Sequence, residues 1–79
     1  MQSDPPPDWV THQLRLLGRR ICARREALGV SQDELGERTG LGRRRIDQVE
    51  KGADDTNLDD LILIGHVLDV PLAELVADD

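Results

Sequence analysis

Arg43, Arg44 and Arg45 stand side by side just after Gly42, in a chain of 79 residues whose net charge is -6. Three guanidinium groups at the start of a helix oppose the positive end of its dipole. They do little for the helix and suit a grip on something anionic. Arginine can donate two parallel hydrogen bonds to guanine O6 and N7, and one such pair contributes about 1–3 kcal/mol of base discrimination. Gln48 lies four residues after Arg44, so a helix returns it to the same face; its amide can serve adenine or orient an arginine. Asp47, four after Arg43, can accept from cytosine N4, but a phosphate would repel it, and the spacing favours an arginine-orienting role. The competing reading of the triplet is a solvated charged face.

The charge is unevenly spread. Residues 13–52 carry ten basic and six acidic groups, a balance of +4, while residues 53–79 carry eight acidic groups and no basic one. The acidic total hides a basic half. An acidic pI argues against indiscriminate binding to nucleic acid or membrane but allows a local DNA-binding face. Acids in the rear segment suppress non-specific, salt-dependent DNA binding or form a docking face for a protein.

Short helices joined by tight turns must position these groups, because Leu, Ile and Val supply the core and the one aromatic residue is Trp9. Residues 1–12, with Pro5, Pro6 and Pro7, read as a flexible lead anchored by Trp9 and Val10. A first helix runs from about Gln13 to Leu28, with Leu14, Leu17, Ile21 and Leu28 at helical spacing, and Gly29 ends it. Ser31 followed by Glu34 reads as a capping box opening a second helix over about 32–38; there Leu35 faces inward and Gly36 permits close helix contact. Thr39-Gly40-Leu41-Gly42 forms the turn, with Leu41 buried. A third helix covers about 43–51, with Ile46 and Val49 inward. A fourth spans about 58–68, capped by Asn57 and Asp60, with Leu61, Ile62, Ile64, Val67 and Leu68 buried. Pro71 fits the first turn of a last short helix, held by Leu72, Leu75 and Val76. The fold class is all-α, a compact bundle of five short helices, with its domain over 13–77.

Two short helices joined by this turn make a helix-turn-helix, in which the second helix can enter the DNA major groove while the first crosses the backbone. Ser31 and Gln32 open the first of the pair, where the amide and free backbone N–H groups can hold a phosphate. Arg25 and Glu50 both lie near apolar seams and read as a structural ion pair, because either one buried alone would be costly. Arg19, Arg20 and Arg24 add field around a duplex or solubilise the first helix.

Other classes have little support. A single cysteine, Cys22, makes no internal disulfide, and no apolar run reaches the length of a membrane span, so a cytoplasmic protein is expected. His12 and His66 lack metal-ligand neighbours at useful spacing, Cys22 has no nearby base, and Gly40 and Gly42 serve a helix turn. No catalysis, cofactor or metal is expected.

From Leu17 to Leu75 the sequence resembles the Cro and phage-repressor, or XRE-like, helix-turn-helix family. The matching pieces include Leu17-Gly18, Ile21, Arg25, Gly29-Val30-Ser31-Gln32, Glu34-Leu35-Gly36, Gly40-Leu41, Ile46, Val49-Glu50-Lys51-Gly52 and Leu68-Asp69-Val70-Pro71-Leu72. The resemblance implies a lambda-repressor-like fold and a DNA-binding transcriptional regulator, a repressor, working as a homodimer on double-stranded DNA. It implies base reading by Arg43, Arg44 and Gln48, contact by Gln32 with the backbone and sometimes a base edge, and a backbone-contact or structural position for Arg45; Ser31 at the helix start and Arg19 on the first helix are expected to meet the backbone beside them. Arg25 and Glu50 match positions that pair in relatives. Two departures weaken a phosphate grip: Asp54 and Asp55 in the loop after the third helix, and Gly42 in place of a capping hydroxyl. The rival is an antitoxin-like or accessory module whose acidic face, residues 53–79, binds a protein partner.

Overall fold

A computed structural model describes residues 7–76. Five helices follow one another: α1 (Asp8–Ala27), α2 (Gln32–Thr39), α3 (Arg43–Glu50), α4 (Leu58–Leu68) and α5 (Leu72–Leu75). The all-α, five-helix bundle expected from the sequence is present. The part of the expected lead at 1–6, and the domain end at 77, lie outside the described residues.

Each helix sends at least one side chain into a single core: Leu17 and Ile21 from α1, Leu35 from α2, Ile46 and Val49 from α3, Ile64 and Leu68 from α4, and Leu75 from α5. Leu41, in the turn between α2 and α3, is half-buried against this core. Burying aliphatic surface at about 25 cal/mol per Å² is the main favourable contribution available to a chain this short.

The structure departs from the sequence reading at several edges. Helix α1 starts at Asp8 instead of Gln13, so residues 8–12 belong to the helix. Pro7 is the N-cap, its carbonyl accepts from the N–H groups of Val10 and Thr11, and Asp8 sets an acid in the first turn, where the dipole favours it. Trp9 is 70% exposed and anchors nothing in the core; Leu28, Ile62 and Val76, all expected inside, are also exposed. Ser31 accepts from the Glu34 N–H at 3.0 Å, but the Glu34 carboxylate turns to Arg38, so only half of the expected box forms. The full box is on α4, where Asn57 and Asp60 each accept the other's backbone N–H. Pro71 precedes α5 as its N-cap.

Arg20 and Arg24, read as field or solubilising groups, tie α1 to the C-terminal half. Arg20 Nη1 donates to the Leu75 carbonyl at 3.1 Å. Arg24 Nε donates to the Leu68 carbonyl at 3.1 Å, where α4 ends, a favourable place for a cation.

Two glycines fix how α1, α2 and α3 meet. A Cβ on Gly18 would sit 2.3 Å from the Glu50 carbonyl oxygen, and one on Gly36 would sit 2.5 Å from the Arg43 nitrogen and the Gly42 carbonyl carbon. Both clashes are with backbone, which cannot swing aside. Gly36→Ala therefore forces α2 and α3 apart. The expected loss is about 1–3 kcal/mol, seen as a Tm lower by about 4–8 °C per kcal/mol; an unchanged Tm would contradict the packing described.

Candidate nucleic-acid interface

The connector Gly40-Leu41-Gly42 sets the pose of α3. Gly42 is its N-cap with φ 87°, ψ 152° and no side-chain cap, a backbone state open mainly to glycine. The Thr39 hydroxyl donates to the Leu35 carbonyl at 2.7 Å and accepts the Leu41 N–H at 3.2 Å; the Gly42 N–H reaches the Gly36 carbonyl at 3.1 Å. The turn is pinned at its start, middle and end.

Ile46 and Val49 turn α3 so that Arg43, Arg44 and Gln48 are exposed. Arg43 pairs loosely with Asp33 across the α2–α3 junction, Nε to Oδ1 3.5 Å, with both side chains well exposed, a contact that contributes little in water. Arg44 has no hydrogen bond or ion pair among the described residues. Asp47 does not orient Arg43 as the spacing suggested. It accepts from Lys51 at 2.9 Å and from the Gln32 amide at 3.3 Å. The Lys51 hydrogen bond, then that of Gln32, holds its pKa below the ordinary value against the effect of desolvation.

Arg45, which the resemblance places at a backbone-contact or structural position, takes the structural one here. Its Nε and Nη2 donate to Asp60 Oδ2 at 3.2 and 2.6 Å, Nη1 to Asp55 Oδ1 at 2.9 Å, and Nη2 to the Asp55 carbonyl at 2.9 Å. The side chain is 19% exposed and its fork is occupied by its own chain. Its hydrogen bonds to Asp60, then to Asp55, raise its pKa further above an already high value. The triplet is split, two guanidinium groups outward and one folded back. Asp55, expected to repel phosphate, has its charge turned to Arg45.

Asp60 is buried beneath this clamp. Desolvation acts to raise its pKa, but hydrogen bonds from Arg45 and the Asn57 N–H outweigh it and leave the pKa below the ordinary value. The unfolded chain thus takes up this proton at higher pH than the folded one. The stabilisation is complete above the unfolded pKa, about 3.9, and is lost as pH falls through the lower folded value. Urea midpoints measured from pH 6 to pH 2 are expected to fall in that acid range. Asp60→Asn should make the fall shallower; an unaltered slope would remove Asp60 from the account.

Behind the exposed face, Arg25 meets Glu50 in a two-pronged ion pair, Nε to Oε2 2.7 Å and Nη2 to Oε1 3.1 Å, with side chains 11% and 6% exposed. Arg25 also donates to the Val30 carbonyl at 2.9 Å. The Glu50 hydrogen bond raises the Arg25 pKa despite desolvation. Gln32 joins this pair to the outer face, since its Nε2 donates to Glu50 Oε1 at 3.1 Å as well as to Asp47. Both hydrogens of its NH2 are thus engaged by carboxylates of its own chain in this structure. Ser31 is exposed, its Oγ capping α2. Arg19 is exposed on α1, directly after Gly18, the residue in contact with the end of α3.

Two tethers went unread in the sequence, Asp33 on Arg43 and Asp60 on Arg45. The second had a signal: Asp60, Ile64 and Leu68 are four apart, which puts the acid on the buried face of α4, where it needs a cation.

The helix-turn-helix family matches residues 23–75. The chain belongs to this XRE-type helix-turn-helix family. It is 37% identical over 62 residues to uncharacterized HTH-type transcriptional regulators of Sinorhizobium medicae and Rhizobium meliloti; the match takes in 78% of this chain and 45% of each relative. The chain thus spans less than half the length of those relatives. Among solved structures it is similar to the restriction-modification controller protein C.AhdI from Aeromonas hydrophila, with TM-score 0.73 and 30% identity over 81% of this chain and 96% of that one. It is also similar to the P22 c2 repressor protein in complex with a synthetic operator, with TM-score 0.73 and 31% identity over 81% and 97%. The fold is lambda-repressor-like. No helix among the described residues is long and apolar enough to cross a membrane.

Proposed function

We propose that this protein is a transcription regulator that binds a specific double-stranded DNA sequence and represses from it, with α3 in the major groove. The observation that carries the reading is the presentation of Arg43, Arg44 and Gln48 on one exposed face of α3, at the head of a helix whose other side is sealed into the core. Arg43 and Arg44 read bases, with Gln48 one turn further along. Ser31, the backbone N–H groups at the start of α2, and Arg19 meet phosphates. Catalysis forms no part of this reading, and neither does a cofactor. The similarity to a repressor solved with its operator and to a restriction-modification controller protein supports it.

Selection from random duplexes at fixed salt tests the proposal. It should enrich one common site, and affinity for that site should fall with salt in proportion to the phosphates engaged. Failure to enrich any site would end the reading. Half-site readers work as two-fold dimers with recognition helices about 34 Å apart, so the selected site should be a pseudo-palindrome bound by two copies, which sedimentation with the duplex measures.

A second reading is favoured by the exposed apolar side chains Leu58, Ile62, Leu63 and Val76 within the acidic segment 53–76. They suit a protein-docking face, as in an antitoxin-like or accessory module. The two separate on Arg43→Ala/Arg44→Ala, which removes DNA binding but leaves a protein complex intact.

A further inference from the structure

All ten basic residues of the chain lie among the described residues, and six of them have close partners. Arg20 and Arg24 reach the Leu75 and Leu68 carbonyls. Arg25 pairs with Glu50, Arg38 with Glu34, Arg45 with Asp60 and Asp55, and Lys51 with Asp47. Arg43 and Arg44 belong to the proposed reading face. Arg15 and Arg19 on α1 remain. Both are exposed, and neither has a hydrogen bond or ion pair among the described residues. They stand four residues apart, and no acid lies three or four residues from either. Like charges at that spacing weaken a helix, so the fold gives no reason for the pair.

Contact between α1 and the tail of α3 sets where they stand. Gly18, between them in sequence, lies against the Val49 and Glu50 carbonyls, and the Arg15 stem lies over Gly52, where a Cβ would sit 2.7 Å from Arg15 Cγ. The pair therefore flanks the end of the proposed recognition helix. The chain that leaves α3 has the opposite charge, with Asp54, Asp55 and Asp59 exposed, and those carboxylates repel phosphate.

We propose that Arg15 and Arg19 form a phosphate clamp, so that α1, and not the acidic segment after α3, holds the DNA backbone beside the tail of α3. The inference rests on the proposed DNA-binding function and adds Arg15 to it. Side chains four apart on a helix have Cβ atoms about 5–6 Å from each other. Two guanidinium groups on such stems can meet neighbouring phosphates of one strand, which rises about 3.4 Å per nucleotide. Contacts of this kind fix register and carry no sequence information.

The test titrates the selected duplex over a salt series. It compares the wild type with Arg15→Gln, Arg15→Gln/Arg19→Gln and Arg15→Lys/Arg19→Lys, folding being checked by circular dichroism. The slope of log affinity against log salt should flatten by about one for Arg15→Gln and about two for the glutamine pair. The lysine pair should keep the wild-type slope, because lysine binds phosphate as a point charge. Every variant should select the same site. A methylphosphonate placed at each phosphate in turn locates the contact: two neighbouring positions should weaken the wild type and make no difference to the glutamine pair. A wild-type slope for Arg15→Gln overturns this inference and leaves the DNA-binding reading standing. So does a changed site, or a glutamine pair still sensitive at every phosphate that matters to the wild type. If no common site appears for the wild type, the DNA-binding reading fails and this inference falls with it.

Discussion

Replacing Arg43 and Arg44 together with alanine is expected to remove specific DNA binding and to leave the bundle folded. Each bidentate arginine–guanine contact is worth about 1–3 kcal/mol, so two of them amount to about 2–6 kcal/mol, a loss of roughly 30-fold to 10⁴-fold at fixed salt. The fold has little to lose. Both side chains are exposed, the Asp33 partner of Arg43 is exposed too, and cations at a helix start oppose its dipole. The Tm should stay level or rise slightly. The salt dependence then separates base contact from mere attraction. If the two arginines meet bases, the slope of log affinity against log salt stays near its wild-type value; if they meet phosphates, it falls by about two. Arg43→Lys refines this further, because lysine retains the charge without the planar fork. A double variant that binds the selected site within twofold of wild type would discard α3 as the reading helix.

The same triplet shows how far the sequence alone could go. Helical periodicity separates Arg43 and Arg44 from the apolar positions Ile46 and Val49, so their exposure on α3 was legible. The fate of Arg45 was not, because it depends on where the chain ten to fifteen positions away returns. Asp55 and Asp60 reach it only after the 52–57 segment folds beside α3. The direction of the Gln32 amide is hidden for the same reason: its setting comes from tertiary neighbours. Local signals served best where they act within one turn. Asn57 with Asp60 and Gly29 after α1 are of that kind. They misled where the motif was incomplete: Glu34 had an alternative partner one turn on, Arg38. At the ends of the bundle a hydrophobic residue has few neighbours to pack against, which is why Trp9, Leu28 and Val76 stay in solvent despite their apolar character.

The acidic balance and the basic face also become compatible in this arrangement. Asp55 and Asp60 neutralise Arg45, Glu50 neutralises Arg25, and Asp47 meets Lys51. Arg44, and Arg43 with its loose tether, remain as the forward charge of α3. On the proposed reading, attraction to any duplex is then limited, and geometry at a few bases supplies the discrimination. That favours discrimination over non-specific binding, whose energy is mostly electrostatic.

Glu50→Ala is expected to remove most of the stability of the fold at room temperature. Glu50 accepts two hydrogen bonds from Arg25 and one from Gln32. Its loss leaves a nearly buried guanidinium with the Val30 carbonyl as its remaining strong partner. Breaking one side of a buried pair costs about 3–5 kcal/mol, against a total near the low end of about 5–15 kcal/mol for a domain this small. Urea unfolding should show the midpoint shifted to low concentration, and a loss under about 1 kcal/mol would mean that water reaches Arg25 freely. The paired variant Arg25→Met/Glu50→Leu separates charge from packing: with both ions gone the desolvation penalty goes too, and stability should return to within about 2 kcal/mol of wild type or exceed it. Gln32 then keeps Asp47 as its one carboxylate partner, so a change in the selected site would report how far Glu50 sets that amide. A double variant both stable and unchanged in its selected site would show that the buried pair serves the fold and nothing at the DNA face.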